Sequence, residues 1–487
     1  MIRLTAQEIA KATDGKLLAD AELVVSAGVT TDSREITDGY LFVAKPGETA
    51  DGHNFIPKAL ELGATLILAE REVKQDGEVV PSVIVDDVVI AMGKLAAEVV
   101  KKARKANDLK IVGITGSAGK TTTKDLLSAI FSLDGETVAP QGSFNSEVGV
   151  PLTVFRVTEN TKYLVVEMGA NAVGNIRYLC DMVHPNVGVV LCVGTAHAGE
   201  FGGVENIALT KGEMVEDFGK DNFAVLNADD GAVVKMQERT QAPITWFGTN
   251  ENLKIAEKDN KIIAKNIELD ELSYPHFDIE FPNEETKHID AKIMGAHHIS
   301  NLLAASAAAF NLGIKPSMIV KALNTKNSMS KWRMQLDKHQ AGFTVINDAY
   351  NANPESMKAS LQALAHLGEK KRAWAVLGEM LELGDESALR HDEVGRTVVR
   401  LNIPKLIVIG SGAKALYNAA QLEGSWGDEA YYADNFDEAK KVLFEEVESD
   451  DVVLFKSSNG SGLGLLGEDI LQQPATAFKK AVGSDNT

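Results

Sequence analysis

The stretch KIVGITGSAGKTTTKDLLSAIF, residues 110–131, sets the class of fold. An apolar run, KIVGI, ends in a glycine-bearing turn and continues into DLLSAIF, whose apolar residues recur at helical spacing. A strand, glycine loop and helix in that order direct backbone N–H groups and the positive end of a helix at phosphate. Amides around Gly116, Ser117 and Gly119 would face phosphate oxygens, with Lys120 adding a point charge and Thr122 at the helix start. Thr121 is the residue type that ligates magnesium in such loops. The general pattern GxxxxGK[ST] asks for glycine at 114, where this chain has Ile114. The alternative is a plain strand-to-helix turn that binds nothing.

Outward from the loop, the apolar runs YLVVEM, VGVVLCVG, FAVLN and ITWFG alternate with helical stretches. That alternation predicts a parallel sheet covered by helices, with ligands at the carboxyl ends of its strands. The helix IAMGKLAAEVVKKARKA leads into it; residues 251–293 read as antiparallel strands, and NLLAASAAAFNLG as an Ala-rich helix. Upstream, LFVA, TLILA and SVIV with one helix near FIPKALELG form a small α/β unit. Downstream of SMSKWRM, the runs TVIND, AWAVLG, KLIVIG, EAYYA and DVVLFK alternate with helix-period segments again. The predicted class is α/β in three domains. These are a small N-terminal α/β domain at 1–84, a central P-loop parallel-sheet domain at 85–326 and a Rossmann-like C-terminal domain at 327–487.

Lys and Arg total 49 against 69 Asp and Glu, a net charge of −20. Such a field opposes nucleic acid and anionic membrane, so an anionic ligand must be held by local groups. The two cysteines, Cys180 and Cys192, lack CxxC spacing, which argues against a disulfide framework or zinc site and for a reducing compartment. MIRLTAQEIAK has no apolar signal core, and no run of about 18 apolar residues occurs. The expectation is a cytoplasmic protein without membrane insertion, acting as a monomer.

The form TGSxGKTTTK resembles the Mur ligases, ATP-dependent amide-bond-forming enzymes of peptidoglycan precursor synthesis. FNSEVGVP at 144–151, VVEMGA at 165–170, GTAHAGEFGGVENIALTKGEM at 194–214, GAHHISNLLAA at 295–305 and DAYNANPESM at 348–357 also resemble motifs of that family. TDSR at 31–34, followed by LFVAKPGETADGHNF, resembles its UDP-sugar-binding domain, and the likeness covers nearly the whole chain. YNANP with LGEMLELG at 377–384 resembles the D-alanyl-D-alanine-adding branch. The resemblance implies ATP and Mg2+ as cofactors, and UDP-N-acetylmuramoyl-tripeptide and D-alanyl-D-alanine as the partners joined through an acyl phosphate.

It also implies roles. Glu167 would ligate magnesium with Thr121, and His197 and a carbamylated Lys211 a second magnesium. Asn145 would lie near the γ-phosphate and Asn301 against adenine. Arg333 would neutralise the transferring phosphate, while Asp348 touches ribose or orients that arginine. Tyr350, Asn351 and Asn353 would border the dipeptide, and Asp32, Ser33 and Arg34 the UDP-muramoyl nucleotide. From the residues alone each has a plainer reading. Glu167 is then an exposed strand-end carboxylate, His197 a loop or core histidine, Lys211 a helix-surface lysine and Asn145 a turn residue. Asn301 is then part of an ordinary helix start, Arg333 and Asp348 members of surface ion pairs, 350–354 a capping turn and 32–34 a turn salt bridge. Two departures stand out: His297-His298 where relatives commonly show His-Asn, and KSSN at 456–459 where they tend to have KGSR. A sister ligase adding one amino acid, a folate polyglutamate synthetase, and a nucleotide switch without ligase activity remain as competing readings.

Overall fold

The computed structural model describes residues 1–47, 50–194, 203–249, 259–282, 285–325, 330–369, 371–424 and 429–482. His197 lies outside the described residues.

Lys110–Thr115 is buried along almost its entire length, which suits a central strand covered on both faces. Ile111 packs into one core, Val112 and Ile114 into the core on the opposite face. This strand belongs to a nine-stranded sheet, in the order Thr137–Val138, Tyr163–Glu167, Lys110–Thr115, Val187–Val190, Phe223–Asn227, Ile244–Gly248, Asn260–Leu269, Pro275–Glu280, Thr286–Asp290. Its first seven strands pair parallel, and the last two antiparallel. The antiparallel strands expected near 251–293 therefore extend the parallel sheet instead of forming a separate piece. Ile114 is in register with Glu167, and Thr115 with Val190, so three adjacent strands end level. That edge is where an open α/β sheet offers its ligand crevice.

The N-terminal sheet has five strands, ordered Lys16–Leu18, Ser82–Ile84, Ala64–Ala69, Tyr40–Val43, Gly28–Thr30. Its period-two alternation feeds two cores. Leu41, Leu66, Leu68 and Val83 join the core shared with the helix Val88–Asn107 and the central sheet, while Phe42, Ile67 and Ala69 pack with Ile56 and Ala59 of the helix Ile56–Glu61. A second helix, Ala6–Thr13, adds to the single helix expected near FIPKALELG; a capping box between Thr5 and Glu8 starts it. The helix Val88–Asn107 begins on Asp87, whose carboxylate accepts from the Val89 and Ile90 N–H groups.

The C-terminal sheet has six strands, ordered Gln335–Lys338, Thr344–Asn347, Val452–Lys456, Ala373–Leu377, Lys405–Ile409, Ala430–Ala433, all parallel apart from the first. Asn347 is in register with Phe455, which sets Asp348 beside Lys456 at the carboxyl edge. Among the described residues no helix is long and apolar enough to cross a membrane.

Candidate active site

The carboxyl edges of the central and C-terminal sheets enclose a cleft of about 950 Å³. Gly116, Ser117, Gly119, Lys120, Thr121, Thr122, Asn145, Glu167, Lys211, Asn301, Arg333, Asp348, Tyr350, Asn351 and Asn353 all line it. Residues far apart in sequence thus meet, as the 3.3 Å contact from Asn353 Nδ2 to the Ser117 carbonyl, 236 positions away, illustrates.

The loop is built for close approach. Gly119 has φ 84°, and a Cβ there would fall 2.2 Å from Asn301 Oδ1. Ser117 is tied to the neighbouring strand end: its N–H donates to the Cys192 carbonyl at 3.1 Å and its Oγ accepts from the Gly194 N–H at 2.8 Å. Lys120 folds back to donate to the Gly116 carbonyl at 2.7 Å. Burial holds its ammonium below the usual lysine range, partly countered by the charge of Glu167.

Glu167 is fully buried at its strand end, so the exposed-carboxylate reading fails. Its Oε2 accepts from the Thr121 hydroxyl at 3.4 Å, while Oε1 is buried without a partner. Burial raises its pKa, against the opposing pull of Lys120, Lys124 and Arg333. Arg333 Nη2 donates to the same Thr121 oxygen at 3.1 Å, its guanidinium lies 4.4 Å from the Tyr350 ring centre, and its Nε is buried and unpartnered. An orphaned carboxylate oxygen and an orphaned guanidinium N–H in one cleft are costly alone. A divalent cation and a phosphate would satisfy them respectively, so the donor set fits Mg2+-bound nucleotide.

Lys211 is not a helix-surface lysine. It is 6% exposed, and burial together with the charge of Lys120 brings its pKa to about 7. A large share is therefore neutral amine at neutral pH. Asn145 holds the Gly169 N–H on its backbone carbonyl at 2.8 Å, with its side chain against Gly169.

Asn301 is braced on both sides: Oδ1 accepts from the Thr123 hydroxyl at 3.4 Å, and Nδ2 lies 3.1 Å from His298 Nδ1. The departure at 298 thus places a histidine that orients Asn301. Burial, with the charges of His297, Arg333 and Lys456, holds His298 well below the usual histidine range, so it is neutral.

Asp348 is buried rather than part of a surface pair, and its carboxylate is fully engaged. It accepts from Lys456 Nζ at 2.6 Å, Ser360 Oγ at 2.7 Å and the Met334 N–H at 3.0 Å. Burial raises its pKa, but Lys456, Ser360 and Arg333 outweigh that and keep it ionised. It orients the residue after Arg333 through the backbone, one of the two roles expected. Lys456 is a site residue that sequence reasoning missed. Its signal was the lysine opening KSSN at the end of DVVLFK. Asn353 caps the helix Pro354–Gly368 through a reciprocal box with Ser356. Asn351 Oδ1 accepts from the Ala352 N–H at 2.9 Å, and its carbonyl from Lys456 at 3.1 Å.

Asp32, Ser33 and Arg34 stand apart, since the cleft lining does not include them. Asp32 caps the turn Ser33–Glu35 and pairs with Arg34 at 2.6 Å, the Arg34 side chain being 87% exposed.

Three family models match the chain: Mur ligase family, catalytic domain, at residues 26–106; Mur ligase middle domain at 114–309; and Mur ligase, glutamate ligase domain, at 332–459. A UDP-N-acetylmuramoyl-tripeptide--D-alanyl-D-alanine ligase of Mycobacterium tuberculosis is 40% identical over 97% of this chain and 98% of its own length. The enzyme of that name from Bacillus subtilis is 31% identical over 97% of this chain and all of its own. A crystal structure of MurF from Acinetobacter baumannii superposes with a TM-score of 0.84 at 29% identity, covering 97% of this chain and 99% of the other. MurF ligase from Thermotoga maritima in complex with ADP gives 0.76 at 26% identity, covering 94% and 98%. Matched end to end in sequence and in structure, the chain belongs to the Mur ligase family.

Proposed function

We propose that this protein is the ATP-dependent ligase that joins D-alanyl-D-alanine to UDP-N-acetylmuramoyl-tripeptide, giving the pentapeptide, ADP and phosphate. The observation that carries it is the meeting of Lys120, Thr121 and Glu167 with Arg333 at one sheet edge, in a chain whose relatives bear that activity in their names. Three sheets support a division of labour: UDP-sugar binding in 1–84, including Asp32, Ser33 and Arg34, ATP binding in 85–326, and the ligase domain in 327–487. The net charge of −20 agrees with a cytoplasmic protein that avoids nucleic acid and membrane.

In this reading the tripeptide's terminal carboxylate attacks the γ-phosphorus of ATP, ADP leaves, and the dipeptide amine displaces phosphate from the acyl phosphate. Both steps concentrate negative charge, which Lys120, Arg333 and the amides of the Gly116–Gly119 loop are placed to stabilise. Asn145 would lie near the γ-phosphate, Asn301 against the base, and Tyr350, Asn351 and Asn353 near the incoming dipeptide. Thr121 and Glu167 would hold one Mg2+, and His197 with Lys211 a second; bound there, the ions supply Lewis-acid charge neutralisation. The neutral amine of Lys211 adds carbon dioxide and loses a proton, giving the anionic carbamate that a cation site needs.

Phosphate release tests the proposal with UDP-N-acetylmuramoyl-tripeptide and ATP, adding either D-alanyl-D-alanine or single amino acids. Release that requires the D-dipeptide is expected. Release with a single amino acid selects a sister ligase, and release with no acceptor dependence rejects a ligase altogether.

A further inference from the structure

Arg333 comes to the phosphate loop from the C-terminal side, on a strap of residues 330–334 whose backbone does not favour that shape by itself. Trp332 has φ 60° and Met334 φ 46°, the left-handed region that bulky L residues rarely occupy. Such a conformation persists only where its surroundings over-determine it. On the C-terminal side Trp332 Nε1 donates to Glu468 Oε1 at 3.0 Å, and its indole lies so close to Gly464 that a Cβ there would fall 2.5 Å from the ring. The Met334 N–H is fixed on Asp348.

The central domain holds the other end. The Ser330 N–H donates to Asp125 Oδ2 at 2.7 Å, and Lys124 Nζ donates to Ser330 Oγ at 3.2 Å and to the Pro140 carbonyl at 3.1 Å. Lys124 also pairs with Asp125 Oδ1 at 2.9 Å, the two side chains being 3% and 13% exposed. Both stand on the helix Lys120–Phe131, one turn beyond Lys120 and Thr121 respectively. A buried ion pair on a helix is a poor stabiliser unless its remaining hydrogen-bonding capacity is met. Here part of it is met by a segment leading into the other domain.

We propose that Lys124 and Asp125 are positioning residues that clamp Ser330 to the nucleotide-binding helix and so hold the strained strap with Arg333 aimed at the phosphate loop. The inference rests on the reading of Arg333 as a residue of the ATP-dependent step. One rigid helix then serves both functions: its first turn, Lys120 and Thr121, faces the phosphates, and its second, Lys124 and Asp125, faces the strap.

The test uses full-length Asp125→Ala, Asp125→Asn and Ser330→Pro. The proline removes the N–H from the far side of the contact without touching the helix. Titration calorimetry gives the Kd for ADP, steady-state assays give kcat and the KM for ATP, and solution X-ray scattering gives the radius of gyration. Asp125→Ala and Ser330→Pro are expected to lower kcat about 10- to 100-fold, the scale of a misplaced catalytic group. Their Kd for ADP should stay within about threefold of the parent, since the loop itself is intact, and their radius of gyration should rise. Asp125→Asn, which keeps an acceptor for the Ser330 N–H, should fall between parent and Ala. Parental kcat and dimensions in both Asp125→Ala and Ser330→Pro overturn the clamp; so does a kcat loss matched by an equal loss of ADP affinity in both. If the parent chain releases no phosphate with any acceptor, the ligase reading fails, and the scattering comparison still decides whether the contact holds the domains together.

Discussion

At the scale of single residues, the site works by placing groups where they are unsatisfied. Glu167 carries a buried oxygen without a partner, and Lys120 and Arg333 are cations with no carboxylate of their own at bonding distance among the described residues. Lys120→Ala and Glu167→Ala should each lower kcat by about 10²- to 10³-fold while circular dichroism and melting stay near parental, because the loss falls on charge developed during phosphoryl transfer. Near-parental turnover in either variant removes its assigned role. Lys211 makes a pH-dependent prediction. Its pKa of about 7 means that the amine gains a proton as pH falls through neutrality, and an ammonium does not add carbon dioxide. With ¹³C-bicarbonate, a carbamate resonance and activity should both hold above pH 7 and decline together below it, and Lys211→Arg should show neither. A labelled carbamate absent from the active parent refutes the modification.

At the scale of elements, the phosphate loop depends on the helix His298–Asn311 packed beneath it. Gly119→Ala must both adopt φ 84° and displace the Asn301 side chain, which His298 and Thr123 hold. ADP affinity should fall by at least about tenfold, equivalent to roughly 1.4 kcal/mol, as read by calorimetry; unchanged affinity would show that the loop does not bind the diphosphate. The loop, its strand and its helix were legible because 110–131 is local: strand, turn and helix follow one another with the periodicities that identify each. The parallel strands were legible as near-continuous apolar runs for the same reason. The short helix Ala6–Thr13 escaped because eight residues give little more than two turns of pattern, although Thr5 and Glu8 carried its capping signature. Lys456 and the Lys124–Asp125 pair escaped for a different reason. Their partners are Asp348, 108 positions away, and Ser330, more than 200 away. Nothing in local periodicity encodes such a pairing. Burial of Lys211 was equally hidden, since a lysine in IALTKGEM has the same local pattern whether it faces water or a core.

At the scale of the whole molecule, two parallel sheets present their carboxyl edges to one cleft, and the chemistry needs both. The central sheet supplies the glycine loop and Glu167, and the C-terminal side supplies Arg333, Tyr350 and the Asp348–Lys456 pair. The Arg333–Thr121 and Asn353–Ser117 contacts join the two halves across the cleft. In the proposed reaction such contacts would exclude water from the acyl phosphate before the amine arrives. In the proposed reaction a carboxylate is activated by phosphoryl transfer inside this cleft. The most direct measurement uses UDP-N-acetylmuramoyl-tripeptide labelled with ¹⁸O in its terminal carboxylate, together with ATP and D-alanyl-D-alanine, and reads the mass of the phosphate released. Attack by the carboxylate on the γ-phosphorus predicts that each phosphate carries one ¹⁸O from the peptide, in step with amide formation. Pentapeptide formed alongside phosphate that carries no label would contradict the account.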